Sequence, residues 1–237
     1  MKNLNIAALI PARAGSKGLP RKNLLKIGDK TLIEITVQVA NQSRYINHVI
    51  FSSDEQKYLD LAMSAGPCEA ILRPEDLSND KASSWDVVRH GVFTLEAKTD
   101  IVTDIIVLLQ PTTPLRTVSH VDKVIEKIIT KKVDASMTVK KVSYPPEWMF
   151  YKDKGGTIYP ILDPPRKIKR RQDSRPTFQP AGTAYAITRA CLDKKDPMDT
   201  DKLICVEVPE CEAVNIDEHQ DYLVAKAIWE NGQRKFF

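Results

Sequence analysis

Residues 6–23 read IAALIPARAGSKGLPRKN, an apolar run of strand length that leads directly into a loop rich in glycine and basic residues. In open α/β sheets, ligands bind beyond the carboxyl ends of the strands, which is where this loop lies. Its glycines allow the backbone to approach a phosphate, and its polar side chains can contact the same oxygens. The residues concerned are Gly15 and Gly18, the cations Arg13, Lys17 and Lys22, and the neutral Ser16 and Asn23. The stretch therefore predicts a first strand followed by a polyphosphate-binding loop.

A solvated basic loop is the alternative interpretation, because short combinations of glycine and lysine are weakly specific. The loop also lacks a Gly-Lys pair followed by Ser or Thr. That absence disfavours kinases and ATPases of the P-loop class.

Beyond this stretch, short apolar runs alternate with longer amphipathic segments, which is typical of a parallel sheet with helices on its faces. The runs that we interpret as strands are residues 6–10, 48–52, 70–72, 104–110, 135–139, 183–187 and 203–208. The segments that we interpret as helices are residues 32–41, 55–65, 84–97, 118–131 and 218–230. We predict a doubly wound, mostly parallel α/β fold in a single domain, residues 1–237.

Residues 143–180 interrupt this pattern. The segment is rich in proline, glycine and basic residues, with scattered aromatic side chains and no amphipathic period. It is too long for an ordinary connection, so we interpret it as an inserted segment that is either functional or disordered.

Composition excludes several classes of protein. Hydrophobic residues make up 42% of the chain and charged residues 28%, which is typical of globular proteins. The four cysteines show no zinc spacing, and we find no secretion signal or membrane span, so we expect a cytoplasmic protein without a membrane partner. The net charge is only +4, but basic residues concentrate in residues 13–26 and 166–175. Two local patches favour a small anionic ligand over nucleic acid.

Four blocks in order identify a family resemblance. Residues 10–23 resemble the signature of the acylneuraminate cytidylyltransferases, or CMP-sialic acid synthetases. The blocks RPEDLSNDKASS (73–84), QPTTPLR (110–116) and RRQD (170–173) follow in that family's order, and the likeness extends to Asn215, Asp217 and Asp221. The resemblance implies a Rossmann-like nucleotidyltransferase fold. It also implies transfer of CMP from CTP to the anomeric hydroxyl of an acidic nine-carbon sugar, with release of pyrophosphate.

The resemblance also implies a role for each matching residue. For CTP these are Arg13, Ser16, Lys17, Lys22 and Asn23 at the triphosphate, and Arg73 and Ser84 at the cytidine. For the sugar they are Gln110, Arg171, Gln172 and Tyr185, with Arg171 facing the carboxylate. Arg13, Lys22 and Asp217 are the implied catalytic residues, and Asn215 and Asp217 the implied Mg²⁺ ligands.

Several of these assignments keep an alternative. Ser84 is also placed to act as a helix N-cap, and both roles are compatible. Arg171 has the alternative of lying in a solvated charged loop, while Arg116 is expected to shape its turn. Asp217 could bind magnesium, accept the hydroxyl proton, or do both. His48, His90, His120 and His219 lie outside every block, so none is a better candidate for the base.

The sequence departs from the family pattern at two positions. Asn215 stands where the family has an aspartate, which predicts weaker metal binding because one negative charge is lost. Ala181 stands where an asparagine could reach the sugar. We interpret this second change as a sign of an altered substituent, as in a legionaminic or pseudaminic acid.

Two alternative functions remain open, and the family resemblance also implies an oligomeric state. The alternatives are a synthetase for CMP-Kdo, which is an eight-carbon relative, and a non-catalytic sensor of nucleotide sugars. The family resemblance further implies a homodimer in which residues 143–180 protrude toward the neighbouring subunit and contribute to dimerisation and sugar binding.

Overall fold

A mostly parallel seven-stranded sheet forms the centre of the computed structural model, which describes residues 4–15, 18–79, 82–165 and 167–234. The strands in chain order are β1 (Ile6–Pro11), β2 (Lys26–Ile27), β3 (Lys30–Thr31), β4 (His48–Ser53), β5 (Glu69–Leu72), β6 (Ile105–Leu108), β7 (Ala135–Lys141), β8 (Phe150–Lys152), β9 (Ile158–Pro160), β10 (Phe178–Thr188) and β11 (Leu203–Glu207). The central sheet has the order β11-β7-β10-β6-β1-β4-β5. Strand β10 runs antiparallel to β6 and β7, whereas the other neighbours in this sheet pair in parallel.

Helices cover both faces of the sheet. They are α1 (Leu32–Gln42), α2 (Gln56–Ala65), α3 (Ser84–Thr99), α4 (Val118–Lys131) and α5 (His219–Arg234). Alternate residues of β1 separate the two layers, because successive side chains of a strand point to opposite faces. Ile6, Ala8 and Ile10 pack with α1, α2 and α4, while Ala7 and Leu9 pack with α3. The predicted doubly wound fold is therefore confirmed.

The largest departure from the predicted elements is in β10, which begins at Phe178 rather than at residue 183. Its pairing with β7 shifts register between Pro180 and Tyr185, and Gly182 takes a left-handed conformation with φ +75°. This irregularity breaks the alternation of side chains that marks a strand in sequence, so the first half of β10 gives no signal.

The segment of residues 143–180 carries short regular elements. It contains the hairpin of β8 and β9 and single turns of 3-10 helix at Pro146–Trp148 and Arg171–Asp173. Several of its aromatic side chains are exposed, namely Tyr144, Trp148, Phe150, Tyr151 and Tyr159. The segment thus presents an apolar surface to its surroundings.

Helix α5 returns the chain to the first loop. Its buried residue Ala225 packs with Ile27 and Leu32, and Trp229 borders the same cluster. The hydroxyl of Tyr222 donates a hydrogen bond of 3.0 Å to the carbonyl of Lys26. The start of α5 is thereby held beside the predicted phosphate loop. Among the described residues, no helix has the length and apolar character needed to cross a membrane.

Candidate active site

A cleft of about 570 Å³ opens at the carboxyl ends of β1 and β6. The loop after β1, the segment after β5, the start of α3, the turn after β6 and the segment before α5 contribute to it. The residues that line it are Pro11, Arg13, Gly18, Lys22, Asn23, Arg73, Leu77, Asn79, Ala82, Ser84, Val87, Gln110, Pro111, Thr112, Asn215, Asp217 and Glu218. Most of the predicted CTP and metal residues thus meet in one place, together with Gln110.

The loop after β1 is folded back on itself by Asn23. This side chain is buried, and its Nδ2 donates a 3.1 Å hydrogen bond to the carbonyl of Arg13. A turn of 3-10 helix at Lys22–Leu24 follows Arg21, whose φ is +53°. Both Arg13 and Lys22 line the cleft as a result. Ser16 and Lys17, which were also predicted to contact the triphosphate, lie outside the described residues.

Lys22 and Asp217 connect this loop to the end of the chain. The Nζ of Lys22 lies 2.8 Å from Oδ1 of Asp217, and Nδ2 of Asn215 donates to Oδ2 of the same carboxylate. The Asp217 side chain is 63% exposed, so the ion pair contributes little to stability and can exchange with an incoming ligand. A cation and a carboxylate therefore face the same space, the first suited to phosphate and the second to a metal or a proton.

The amino end of α5 fixes the position of Asp217. Carboxylate oxygen Oδ2 of Asp221 accepts hydrogen bonds from the backbone N–H groups of Asp217 and Glu218, at 2.9 and 2.8 Å. Gly18 approaches the same segment so closely that a Cβ at this position would lie 2.9 Å from the carbonyl oxygen of Asp217. Gly18 thus allows two protein segments to come into close contact, and its predicted approach to a phosphate stays a prediction.

Arg73 builds one wall of the cleft. Its buried guanidinium donates to the carbonyl of Ser52 at 2.9 Å and more weakly to that of Leu77 at 3.4 Å. Burial lowers the pKa of Arg73, and the nearby carboxylate of Asp54 opposes this change. Arg73 therefore shapes the segment that carries Leu77 and Asn79. Its contact with cytidine stays a prediction.

Ser84 is not the N-cap of α3, which was one of its two expected roles. The cap is Ser83, which accepts a hydrogen bond from the N–H of Asp86, and the Asp86 side chain accepts one in return from the Ser83 backbone. The Ser84 hydroxyl instead faces Gln110, whose Nε2 lies 3.5 Å away. The two adjacent serines therefore have different roles: Ser83 caps α3, and the side chain of Ser84 faces the cleft.

Replacing Ser83 and Ser84 by alanine, one at a time, distinguishes these two roles. Ser83→Ala is expected to lower the free energy of unfolding by about 1 kcal/mol, because it removes the cap of α3. Ser84→Ala is expected to leave stability nearly unchanged and to raise KM for CTP. Thermal unfolding and steady-state kinetics on both variants check the pair, and equal losses of stability would contradict it.

Arg116 shapes the turn after β6, as expected. Its side chain donates to the carbonyls of Thr113 and Gln110 from beneath the turn. Burial lowers the pKa of Arg116 to about 9, so the guanidinium remains charged at neutral pH. Gln110 is consequently held by its backbone while its side chain lines the cleft.

Four residues associated with the sugar do not line the cleft of their own chain. Arg171 and Gln172 border a separate cavity of about 500 Å³ beside Lys141 and Arg175. Tyr185 is half-buried and packs against the apolar cluster between α3 and the sheet, and burial raises the pKa of its hydroxyl. Ala181 is 3% exposed and packs against Val208 and Ala213. The position at which the family has an asparagine thus lies in an apolar cluster outside the cleft in this chain, and the interpretation of the change as a sign of an altered sugar substituent stays a prediction.

Some lining residues were missed in the sequence. Leu77, Asn79 and Thr112 lie inside the blocks that carry the family resemblance, but their side chains have no chemistry that singles them out. Glu218 adds a second carboxylate beside Asp217. In the sequence, the one feature that could have pointed to Glu218 is its position directly after Asp217.

Comparison with known proteins identifies the family of this chain. The sequence profile of the family described as cytidylyltransferase matches residues 7–149. This chain belongs to the cytidylyltransferase family. The matched range contains the predicted phosphate loop, Arg73, Ser84 and Gln110. The predicted family resemblance is therefore confirmed, and with it the assignment as a nucleotidyltransferase.

Two curated relatives align with nearly the whole cytidylyltransferase chain. The pseudaminic acid cytidylyltransferase of Campylobacter jejuni is 28% identical over 237 residues, covering 100% of both chains. The CMP-N,N'-diacetyllegionaminic acid synthase of Legionella pneumophila is 30% identical and covers 97% of this chain and 98% of the relative. The solved structure of CMP:2-keto-3-deoxy-manno-octonic acid synthetase in complex with CTP matches with a TM-score of 0.67 at 18% identity. That match covers 96% of this chain and 99% of the other, and it supports the fold.

Proposed function

We propose that this cytidylyltransferase transfers CMP from CTP to the anomeric hydroxyl of a nonulosonic acid, giving the CMP-sugar and pyrophosphate. The observation that carries the proposal is the pairing of Lys22 with Asp217 in the cleft of a cytidylyltransferase fold. One group suits the triphosphate, and the other suits a metal or the hydroxyl proton. The names of the relatives from Campylobacter and Legionella support a nine-carbon acidic sugar as acceptor.

The main obstacle to this reaction is the negative charge on both substrates. The hydroxyl attacks the α-phosphorus in line with the departing pyrophosphate. Arg13 and Lys22 offset the charge of the triphosphate, and Lys17 lies in the same loop of the sequence. Holding both substrates in one cleft removes an entropic barrier that is worth up to about 7–11 kcal/mol in favourable systems. Asp217 is the group that we assign to the metal, to the proton, or to both.

Asn215 and Asp217 also fit a magnesium site that is completed by substrate phosphates. Mg²⁺ is commonly held by one or two carboxylates together with phosphate oxygens and water. Asp217 offers a carboxylate, and Asn215 offers an amide oxygen, because its Nδ2 is used in the hydrogen bond to Asp217. Bound there, magnesium would supply positive charge to the triphosphate. Lys22 would have to leave Asp217 and turn to the phosphates.

Asn215→Asp tests this assignment. The added carboxylate is expected to lower the Mg²⁺ concentration that gives half-maximal velocity, because negative charge at this position strengthens the metal site. Titration of pyrophosphate release with MgCl₂ at saturating CTP measures the effect. An unchanged magnesium requirement would show that Asn215 is not part of the metal site.

We also propose that the protein works as a homodimer. The exposed aromatic residues of the segment 143–180 form an apolar surface, which is a common mark of an interface. Arg171 does not line the cleft of its own chain, so its proposed contact with the sugar carboxylate fits a cleft supplied by a second copy. Sedimentation at micromolar concentration tests the assembly, and a monomer would contradict it.

A screen of acceptor sugars tests the proposed function itself. Pyrophosphate release from CTP is expected with pseudaminic, N,N'-diacetyllegionaminic or N-acetylneuraminic acid, and release with Kdo is expected to be far slower. Faster turnover of Kdo would identify the eight-carbon alternative. Binding of CTP without release of pyrophosphate, at saturating magnesium and with every sugar, would identify a non-catalytic sensor and contradict the proposal.

A further inference from the structure

His120 lies outside every block of the family resemblance, yet it occupies a specific buried position near the cleft. It lies in the first turn of α4 and is 5% exposed. Its Nε2 is 2.9 Å from Oε2 of Glu212, and its Nδ1 accepts a hydrogen bond of 3.3 Å from the N–H of Thr117. Both ring nitrogens thus have defined partners, which fixes the orientation of the imidazole.

The imidazole is neutral in this arrangement. Because Nδ1 accepts a hydrogen bond, Nε2 carries the proton and donates it to Glu212. Burial lowers the pKa of His120, and Arg116 and Lys123 lower it further, whereas Glu212 raises it. A neutral donor bonded to a carboxylate is a stable link between α4 and the segment that contains Glu212.

Glu212 connects this link to the cleft. It ends a turn of 3-10 helix at Glu210–Glu212, and the next residue, Ala213, is buried. Two residues further on, the chain reaches Asn215, Ile216 and Asp217. Ile216 is fully buried, and its N–H donates a 2.7 Å hydrogen bond to the carbonyl of Thr112. Asn215 and Asp217, on either side of this anchored residue, are exposed to the cleft.

We propose that His120 is a positioning residue that holds the segment 212–217 through Glu212 and so sets the placement of Asn215 and Asp217 in the cleft. The same stretch of chain that carries Gln110 and Thr112 continues through the cap of α4 to His120. This stretch, residues 110–120, therefore holds the segment 212–217 at two points: the carbonyl of Thr112 accepts from Ile216, and the imidazole of His120 contacts Glu212. The functional part of this inference rests on the proposed cytidylyltransferase reaction, but the positioning itself does not.

Hydrogen exchange of the ligand-free protein tests the positioning directly. His120→Ala is expected to cause a loss of protection at the Ile216 amide and to leave the amides of β1 unchanged. His120→Gln keeps a side-chain donor and acceptor and is expected to restore much of the protection. His48→Ala is the matched control, because His48 begins β4 at the amino end of the sheet, away from the cleft.

Glu212→Ala keeps the test decisive if His120→Ala does not fold, since Glu212 is partly exposed and its removal leaves the imidazole in place. It should reproduce the loss at Ile216, and the double variant should lose no more than either single one. Unchanged protection at Ile216 in folded Glu212→Ala, or no recovery in His120→Gln, would overturn the proposal.

Kinetics separate this inference from the proposed function. In an active protein, His120→Ala is expected to raise the magnesium requirement roughly tenfold, as for other residues that orient metal ligands, with little change in KM for CTP. An unchanged requirement in an active, folded variant would overturn the functional part. An inactive wild-type protein would contradict the proposed function, while the exchange experiment would still decide the positioning.

Discussion

Replacing Lys22 by methionine is expected to lower kcat/KM for CTP on the order of 10²–10³-fold, the usual cost of removing one group that stabilises developing charge. Methionine keeps an unbranched apolar side chain, so the change is mainly the loss of the ammonium. That ammonium lines the cleft, and its side chain is 16% exposed beside Asp217. Measurement of pyrophosphate release at saturating magnesium gives kcat/KM directly.

Stability is expected to respond very little to the same change. The Lys22–Asp217 pair joins a partner that is 63% exposed, and ion pairs of this kind contribute about 0–1 kcal/mol. A large loss of activity with a nearly unchanged melting temperature would therefore assign Lys22 to the reaction rather than to the fold.

Lys26→Met is the control for this experiment. It removes the same charge four residues away, in β2, from an exposed side chain that does not line the cleft. Nearly normal activity is expected. A similar loss in Lys26→Met would show that the overall charge of the loop is what matters, and an active Lys22→Met protein would contradict the assigned role.

The seven strands of the central sheet and the five helices could be predicted because their signals are local, whereas the short strands β2, β3, β8 and β9 were not predicted. Strand β1 is a short continuous apolar run, as expected for a strand that helices cover on both faces, and the apolar period of residues 118–131 marks α4. Strand β10 was only half predicted, since Pro180 and Gly182 interrupt its alternation. A bulge depends on the partner strand, which a local pattern does not contain.

The sequence predicted many of the residues of the candidate site but not the contacts between them. Lys22 and Asp217 were named from separate blocks, and nothing in either block indicates that they form an ion pair across 195 positions. An alignment position does not say which way a side chain points, and the side chain of Ala181 packs with Val208 and Ala213 outside the cleft. Asp86 follows Ser83 by three residues, which is the spacing of a capping box, so the sequence did contain a signal that favours Ser83 over Ser84 as the cap of α3.

Gly18→Ala is expected to lower kcat/KM for CTP on the order of 10²-fold, because small misplacements of reacting groups have effects of this size. The added Cβ would lie 2.9 Å from the Asp217 carbonyl oxygen, closer than real Cβ contacts, and a backbone atom cannot rotate away. The predicted phosphate loop and the Asp217 segment must then separate. Since Lys22 and Asp217 lie on these two segments, the distance between cation and carboxylate should increase.

Gly15→Ala is the control for Gly18→Ala, and both variants are compared with the wild type in the absence of ligand. A Cβ at Gly15 would meet no atom within 4 Å, so this variant should melt like the wild type and keep the Asp217 segment protected from hydrogen exchange. Gly18→Ala should lose protection there even without CTP, because the clash is between two protein segments. If Gly18→Ala keeps normal protection and loses only its affinity for CTP, the glycine serves the phosphate after all, and the contact with Asp217 does not explain why it is needed.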